Sequence, residues 1–249
     1  MAARLKLIVA YDGAPFSGWQ SQPNGNGIQD HLEKAFEQIC SQPVRVHGAG
    51  RTDAGVHALG QCAHADVPVL RYGADRWRAA LNGILPPAIR IMKCRFVSDS
   101  FHARFSAKGK IYRYRVWNGD VLSPLENGRA WHVRDPINRE VVAAAAKFFI
   151  EEHDFASFAA NRGVRVADTV RTLHAVRLRI AGPLLTFDFE GEGFLYKMVR
   201  MMVGSLVQIG TGKASPHEIQ SRLAHPRRTA AAERSVAPAA GLFLFRVRY

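Results

Sequence analysis

The chain has 249 residues, enough for one large domain or two small ones with a substantial core. It is 47% hydrophobic, as ordinary globular proteins are, and no apolar run approaches the roughly 20 residues that span a bilayer. Its 34 Lys+Arg against 21 Asp+Glu leave +13 with histidine neutral, and only eight of those cations are lysines. A planar guanidinium suits phosphate oxygens and stacks on bases, so the balance points toward nucleic acid.

Residues 4–12 alternate, with Leu5, Leu7 and Val9 on one face, and predict a strand. Asp12 and the lack of a small-residue cleavage pattern after the apolar run argue against a signal peptide. The polar loop "GAPFSGWQSQPNGNG" leads into Ile28, Leu32, Ala35, Phe36 and Ile39 at helical spacing. Strands are predicted at 43–49 and 60–67, a helix at 74–85 marked by Trp77, Leu81 and Leu85, and a strand at 89–97. A boundary near 100–106 would divide the chain into domains 1–105 and 106–249.

The second half repeats the grammar. Residues 106–118 read as a strand, 138–150 as a helix with Asn138 as N-cap, and 168–180 with 183–190 as a hairpin broken by "AGP". Leu195, Met198, Val199, Met202, Leu206 and Ile209 form a helical stripe ended by "GTG". Ser215, Pro216 and Glu218 suggest a capping box, 229–240 a flexible connector, and "GLFLFRVRY" a closing strand. Strand pairs of hairpin type mixed with helices give an α+β class with antiparallel sheets.

Cys40, Cys62 and Cys94 are odd in number and far apart, and no C-x-x-C or H-E-x-x-H occurs. Neither a disulfide framework nor a zinc site is expected, and free thiols fit a reducing cytoplasm. No G-x-G-x-x-G follows a strand and no Walker pattern occurs, so neither a dinucleotide nor a P-loop fold is indicated.

Three stretches could carry chemistry. "GAGRTDAGVHALGQ", 48–61, sets Arg51 and Asp53 among glycines that permit close approach to the backbone, although R-T-D-A-G also serves as a plain turn. In "FHARFSAKGKIYRYRVWN", 101–118, Tyr112, Tyr114 and Val116 share one face of a strand. Arg104, Lys108, Lys110, Arg113 and Arg115 interleave with aromatic residues there and suit stacking with phosphate contact, although the pattern also fits a core strand with solvated arginines. In "GFLYKMVRMMVGSL", 193–206, Arg200 lies about 140° around a helical wheel from Leu195, either on a solvated face or extended from a rigid helix toward a carboxylate.

These stretches, with "YDGAPFSGWQSQ", "LNGILP" and "APAAGLFL", resemble in order the motifs of the tRNA pseudouridine synthase A family over nearly the whole chain. The resemblance implies an isomerase that converts uridine to pseudouridine at positions 38, 39 and 40 of the tRNA anticodon arm. It further implies two ferredoxin-like α+β domains with the active cleft between them, and a homodimer. By motif, Asp53 matches the catalytic aspartate, Tyr112 the tyrosine that stacks on the target base, and Arg200 the basic residue paired with the aspartate. Arg51, His102 and Arg104 match positions tied to RNA handling. A catalytically silent RNA binder of the same fold, or the same chemistry on other RNA uridines, are the alternatives.

The reaction breaks the N1–C1′ bond, turns the uracil and joins C5 to C1′, with the same atoms in and out. No redox change occurs, so no cofactor or metal is expected. One carboxylate suffices where a hydrolase needs two, because no water is activated. The residues leave open whether Asp53 attacks C1′ or first removes the 2′ proton.

Overall fold

The computed structural model describes residues 2–68, 72–160, 168–227 and 236–249. The chain forms two compact units, Met1–Lys108 with Phe243–Tyr249, and Gly109–Leu242.

In the first unit the order is β1 (Ala2–Tyr11), α1 (Ile28–Cys40), β2 (Val46–Gly48), β3 (His57–Pro68), α2 (Ala74–Ile84) and β4 (Ile89–Val97). β1 pairs antiparallel with β3 and β4, and β2 pairs antiparallel with β3. The order β4-β1-β3-β2 with one helix in each crossover is the ferredoxin-like β-α-β-β-α-β arrangement. The predicted rows become core: Leu5, Leu7, Val9, Ile28, Leu32, Phe36, Trp77 and Leu81 are buried. The Phe36 and Trp77 rings lie 5.7 Å apart, joining α1 to α2. β3 starts three residues earlier than its alternation predicts, so "HAL" belongs to the strand and the glycine-rich loop shortens to 49–56.

In the second unit β5 (Gly109–Trp117), β6 (Trp131–His132), α3 (Arg139–Ala146), β7 (Glu151–Asp154), β8 (Val170–Ala181), β9 (Leu184–Gly191), α4 (Met198–Gly210) and α5 (His217–Ala224) follow in order. β5, β9, β8 and β7 are antiparallel neighbours, and β6 adds a short parallel pair to β5. Asn138 caps α3 as expected, its Oδ1 accepting from the Val141 N–H at 3.1 Å. The β8–β9 turn places Gly182 at φ 58°, a conformation only glycine adopts cheaply.

One expectation is overturned by the backbone. The stripe from Leu195 is not continuous helix: Lys197 takes φ 58°, and α4 begins only at Met198. The 3.6-residue spacing across that break is fortuitous, so the wheel angle of Arg200 from Leu195 has no meaning. The predicted connector at 229–240 lies largely outside the described residues, and Ala239–Gly241 form a short 3-10 turn. The closing strand, β10 (Leu242–Arg248), pairs parallel with β3 through Phe243 and Leu244. Residues 243–249 therefore belong to the first unit, although in chain order they follow the second. Among the described residues no helix is long and apolar enough to cross a membrane.

Candidate active site

The loop bearing Asp53 is built by backbone packing. Its neighbour is the loop after β1, where Gly13 and Gly18 lie so close that a side chain would collide. A Cβ on Gly13 would stand 2.0 Å from the Val56 carbonyl oxygen, and one on Gly18, at φ 94°, 2.6 Å from the Thr52 carbonyl oxygen. Gly48 faces the Trp19 indole, where a Cβ would come within 2.4 Å of the ring. The glycines of "YDGAPFSGW" and "GAGRTDAG" are thus two halves of one interlocked structure.

Hydrogen bonds fix the loop on both sides of Asp53. The Trp19 N–H donates to the Thr52 carbonyl at 3.0 Å, and the Tyr11 hydroxyl and Thr52 Oγ1 lie 2.8 Å apart in the interior. The Val56 N–H donates to the Asp53 carbonyl at 3.1 Å, closing a turn whose third residue, Gly55, has φ 76°. Gln61, fully buried on β3, donates its Nε2–H to the Gly50 carbonyl at 2.7 Å. The Gly13 N–H donates to His57 Nδ1 at 3.1 Å, and the His57 ring stacks on Phe243 at 4.7 Å. Thr52 is buried, Asp53 half-buried and Arg51 exposed. The turn and the functional reading of R-T-D-A-G are therefore compatible. The backbone of Asp53 makes the turn, which leaves its side chain available for a functional role.

Tyr112, on β5, lies buried with its ring 4.9 Å from Phe194 in an edge-on contact. Arg200, in the first turn of α4, donates from Nε to the Ala237 carbonyl at 2.6 Å, and the Ala237 N–H donates back to the Arg200 carbonyl at 3.1 Å. Tyr114 donates to the next carbonyl, Pro238, at 2.7 Å, and burial drives its hydroxyl pKa far above the ordinary value, with Arg200 acting in the opposite sense. Residues 237–238 are thus clamped by a helix arginine and a strand tyrosine, which orients the guanidinium. The second unit carries Tyr112 and Arg200, and the first carries Asp53, Arg51, His102 and Arg104.

Arg113 and Arg115, read from sequence as possible phosphate contacts, are engaged with carboxylates. Arg113 makes a two-pronged pair with nearly buried Asp188, at 2.7 and 2.9 Å, and Arg115 pairs with Glu126 at 2.7 Å. Asp188 also accepts from Arg179 at 2.7 Å, which ties β5, β9 and β8 together on one face.

His102 and Arg104 lie in a turn after β4. His102 Nδ1 accepts the N–H groups of Arg104 and Phe105 at 3.1 and 3.3 Å. Its ring meets those of His64 at 4.6 Å and His47 at 5.7 Å. His64 is buried, its Nδ1 accepting the Ala103 N–H at 3.1 Å. Burial first, then the neighbouring His102 and His47, push the His64 pKa down to about 4. Sequence reasoning passed over Tyr11, Gly13, Gly18, Trp19 and Gln61 as determinants of the Asp53 mount. The density of glycine around a lone tryptophan in 13–27 was the available signal.

Fold and loop together define an α+β protein that carries a half-buried aspartate on a hydrogen-bonded, glycine-lined turn. A family model described as tRNA pseudouridine synthase matches residues 7–106 and 145–249. A tRNA pseudouridine synthase A of Solidesulfovibrio magneticus is 48% identical over 99% of this chain and 91% of its own length. One from Akkermansia muciniphila is 43% identical over 99% of this chain and 95% of its own. Among solved structures, that titled "Crystal Structure of a Cbf5-Nop10-Gar1 Complex" aligns at TM-score 0.37 and 11% identity, over 82% of this chain and 44% of that one, and carries no weight here. The chain belongs to the tRNA pseudouridine synthase family and is an isomerase.

Proposed function

We propose that the chain converts uridine to pseudouridine at positions 38, 39 and 40 of the tRNA anticodon arm, acting as a cytoplasmic homodimer with Asp53, Tyr112 and Arg200 as its catalytic residues. The observation that carries this reading is the mount of Asp53. Its carbonyl closes a glycine turn, the preceding residue is buried, and small residues around it let a ribose approach.

As the N1–C1′ bond lengthens, positive charge grows on the sugar. A carboxylate already aimed at that place stabilises the charge without reorganising. The freed uracil turns until C5 faces C1′, the C–C bond forms, and the C5 proton departs while N1 gains one. Tyr112, its ring braced by Phe194, is the surface on which the uracil is held during the turn. The Arg200 guanidinium is the proposed counter-charge to the Asp53 carboxylate. Arg51, His102 and Arg104 are proposed to contact the RNA. The unstacking of the target base costs a few kcal/mol, which phosphate contacts of an arginine-rich chain at +13 can offset.

The test is incubation of an unmodified tRNA transcript with the pure protein, followed by site-resolved pseudouridine mapping. Pseudouridine is expected within positions 38–40. Asp53→Asn is expected to lower turnover by about 10³-fold or more, with tRNA binding retained. Release of free uracil, modification only elsewhere, or full turnover by Asp53→Asn would overturn the reading.

A further inference from the structure

The turn 101–106 contains a feature that the proposed reaction does not use. Phe105 is 76% exposed, yet it is not a loose side chain. Its ring stacks on His102, with centroids 4.4 Å apart and planes at 30°. His102 is itself held by the two backbone donors on Nδ1, by its own N–H to Ser106 Oγ at 3.0 Å, and by the Ser106 N–H to its carbonyl at 2.9 Å. The buried His64 ring stands behind His102, and the Arg104 guanidinium lies 5.6 Å from the Phe105 centroid.

A single exposed apolar side chain is ordinary on a protein surface, and what sets Phe105 apart is an aromatic ring held against His102 in a turn fixed by hydrogen bonds. It has the form of a stacking surface. Every nucleobase has a π-face, and single-stranded RNA is gripped by aromatic rings set among cations. The surroundings match that ligand. Residues 100–108, "SFHARFSAK", contain Arg104 and Lys108 and no carboxylate. A docking face for protein would gather several apolar neighbours, whereas here one ring stands among polar and cationic residues.

We propose that Phe105, braced by His102, is a stacking platform for an unpaired nucleobase of the RNA substrate other than the reacting uridine. It rests on the reading of the chain as an RNA-modifying enzyme and makes Phe105 a positioning residue. Its ring sets the register of the RNA while Arg104 engages the adjacent backbone.

The test measures binding of a fluorescently labelled, unmodified tRNA transcript to the full chain and to Phe105→Ala, Phe105→Leu and Phe105→Trp. Leu125→Ala serves as a control for loss of an exposed apolar side chain, Leu125 being 82% exposed. Loss of one base stack is expected to weaken binding roughly tenfold to a hundredfold in Phe105→Ala. Phe105→Leu stays weak because it lacks a π-face. Phe105→Trp binds as the parent does, and its added fluorescence falls when tRNA is bound. KM rises in Phe105→Ala while kcat at saturating tRNA and thermal stability hold. The slope of log Kd against log salt is unchanged, since stacking releases no counterions.

Parent-like affinity in Phe105→Ala, or a weakened Phe105→Trp, would overturn the platform. So would a changed salt slope, which would mean a phosphate contact, or a shift in sedimentation, which would mean that the ring joins copies of this chain. Should the parent form no pseudouridine while Phe105→Ala still loses affinity, the platform stands and the catalytic reading falls. Should the parent modify tRNA and Phe105→Ala keep its KM, the platform alone falls.

Discussion

Asp53 follows a buried threonine and precedes, by two residues, a glycine at φ 76°. Such a mount restricts the backbone of Asp53, and under the proposed reaction a charge held in place would lose little to reorganisation. His64 shows the opposite use of burial. Its folded pKa of about 4 lies below the ordinary 6.5, so the fold holds the ring neutral. The unfolded chain takes up that proton as pH falls below 6.5 and the folded chain does not until about 4. Stability from this group is therefore full above pH 6.5 and lost progressively between there and about 4. The loss amounts to no more than about 3 kcal/mol. Urea denaturation at pH 7.5 and pH 4.5 should show the drop, and His64→Gln, which keeps an acceptor for the Ala103 N–H, should flatten it. The three-histidine contact was invisible in the sequence, because His47, His64 and His102 come from a short strand, a long strand and a turn.

At the scale of elements, glycines of identical composition have opposite worth. Gly13 has no room for a methyl group: the Cβ of Gly13→Ala would lie 2.0 Å from one carbonyl oxygen, and neither backbone can yield without moving the Asp53 loop. That variant should lose about 3 kcal/mol of stability and most of its turnover. Gly83 lies exposed inside α2, with nothing within 4 Å of a Cβ. Gly83→Ala should gain about 0.5–1 kcal/mol and leave turnover unchanged. Paired urea denaturation curves and initial rates check both. The strand at 89–97 was legible to the residue, because its run is bounded by two prolines before it and by "SDS" after it. β7, "EEHD", was not legible, since an edge strand of four polar residues carries no alternating signal. The start of α4 was misread for a related reason: apolar spacing persists through Lys197, whose left-handed backbone no periodicity reveals.

At the scale of the whole molecule, the end of the chain returns to its beginning. The Tyr249 hydroxyl donates to the Ala103 carbonyl at 2.7 Å, and the Lys6 ammonium lies 3.5 Å from the Tyr249 ring centroid. The Lys108 N–H donates to the Arg248 carbonyl at 2.9 Å, and Gly60 leaves room for the Phe245 carbonyl, 2.5 Å from where its Cβ would be. Phe243, Leu244 and Val247 are buried. Together these three side chains contribute about 5 kcal/mol or more, comparable with the net stability of a domain. Deleting residues 243–249 should therefore abolish the cooperative unfolding of the first unit, read by near-ultraviolet circular dichroism against urea. Tyr249→Phe should cost only about 1 kcal/mol, the worth of one hydrogen bond. A deletion variant with parent-like unfolding would contradict the assignment of the closing strand.

Local rules sufficed for the class of the fold, most of its strands and helices and the Asn138 cap, while the proposed roles of Asp53, Tyr112 and Arg200 rest on the resemblance of their motifs to a family. Alternation, helical spacing and turn chemistry all act within about twenty residues, and a sequence displays them directly. Three things needed the folded chain: the glycine-to-backbone interlock around Asp53, the histidine cluster behind Phe105, and the membership of residues 243–249 in the first unit. Each depends on contact between segments some 30 to 190 residues apart, where close packing decides what touches and no local periodicity records it.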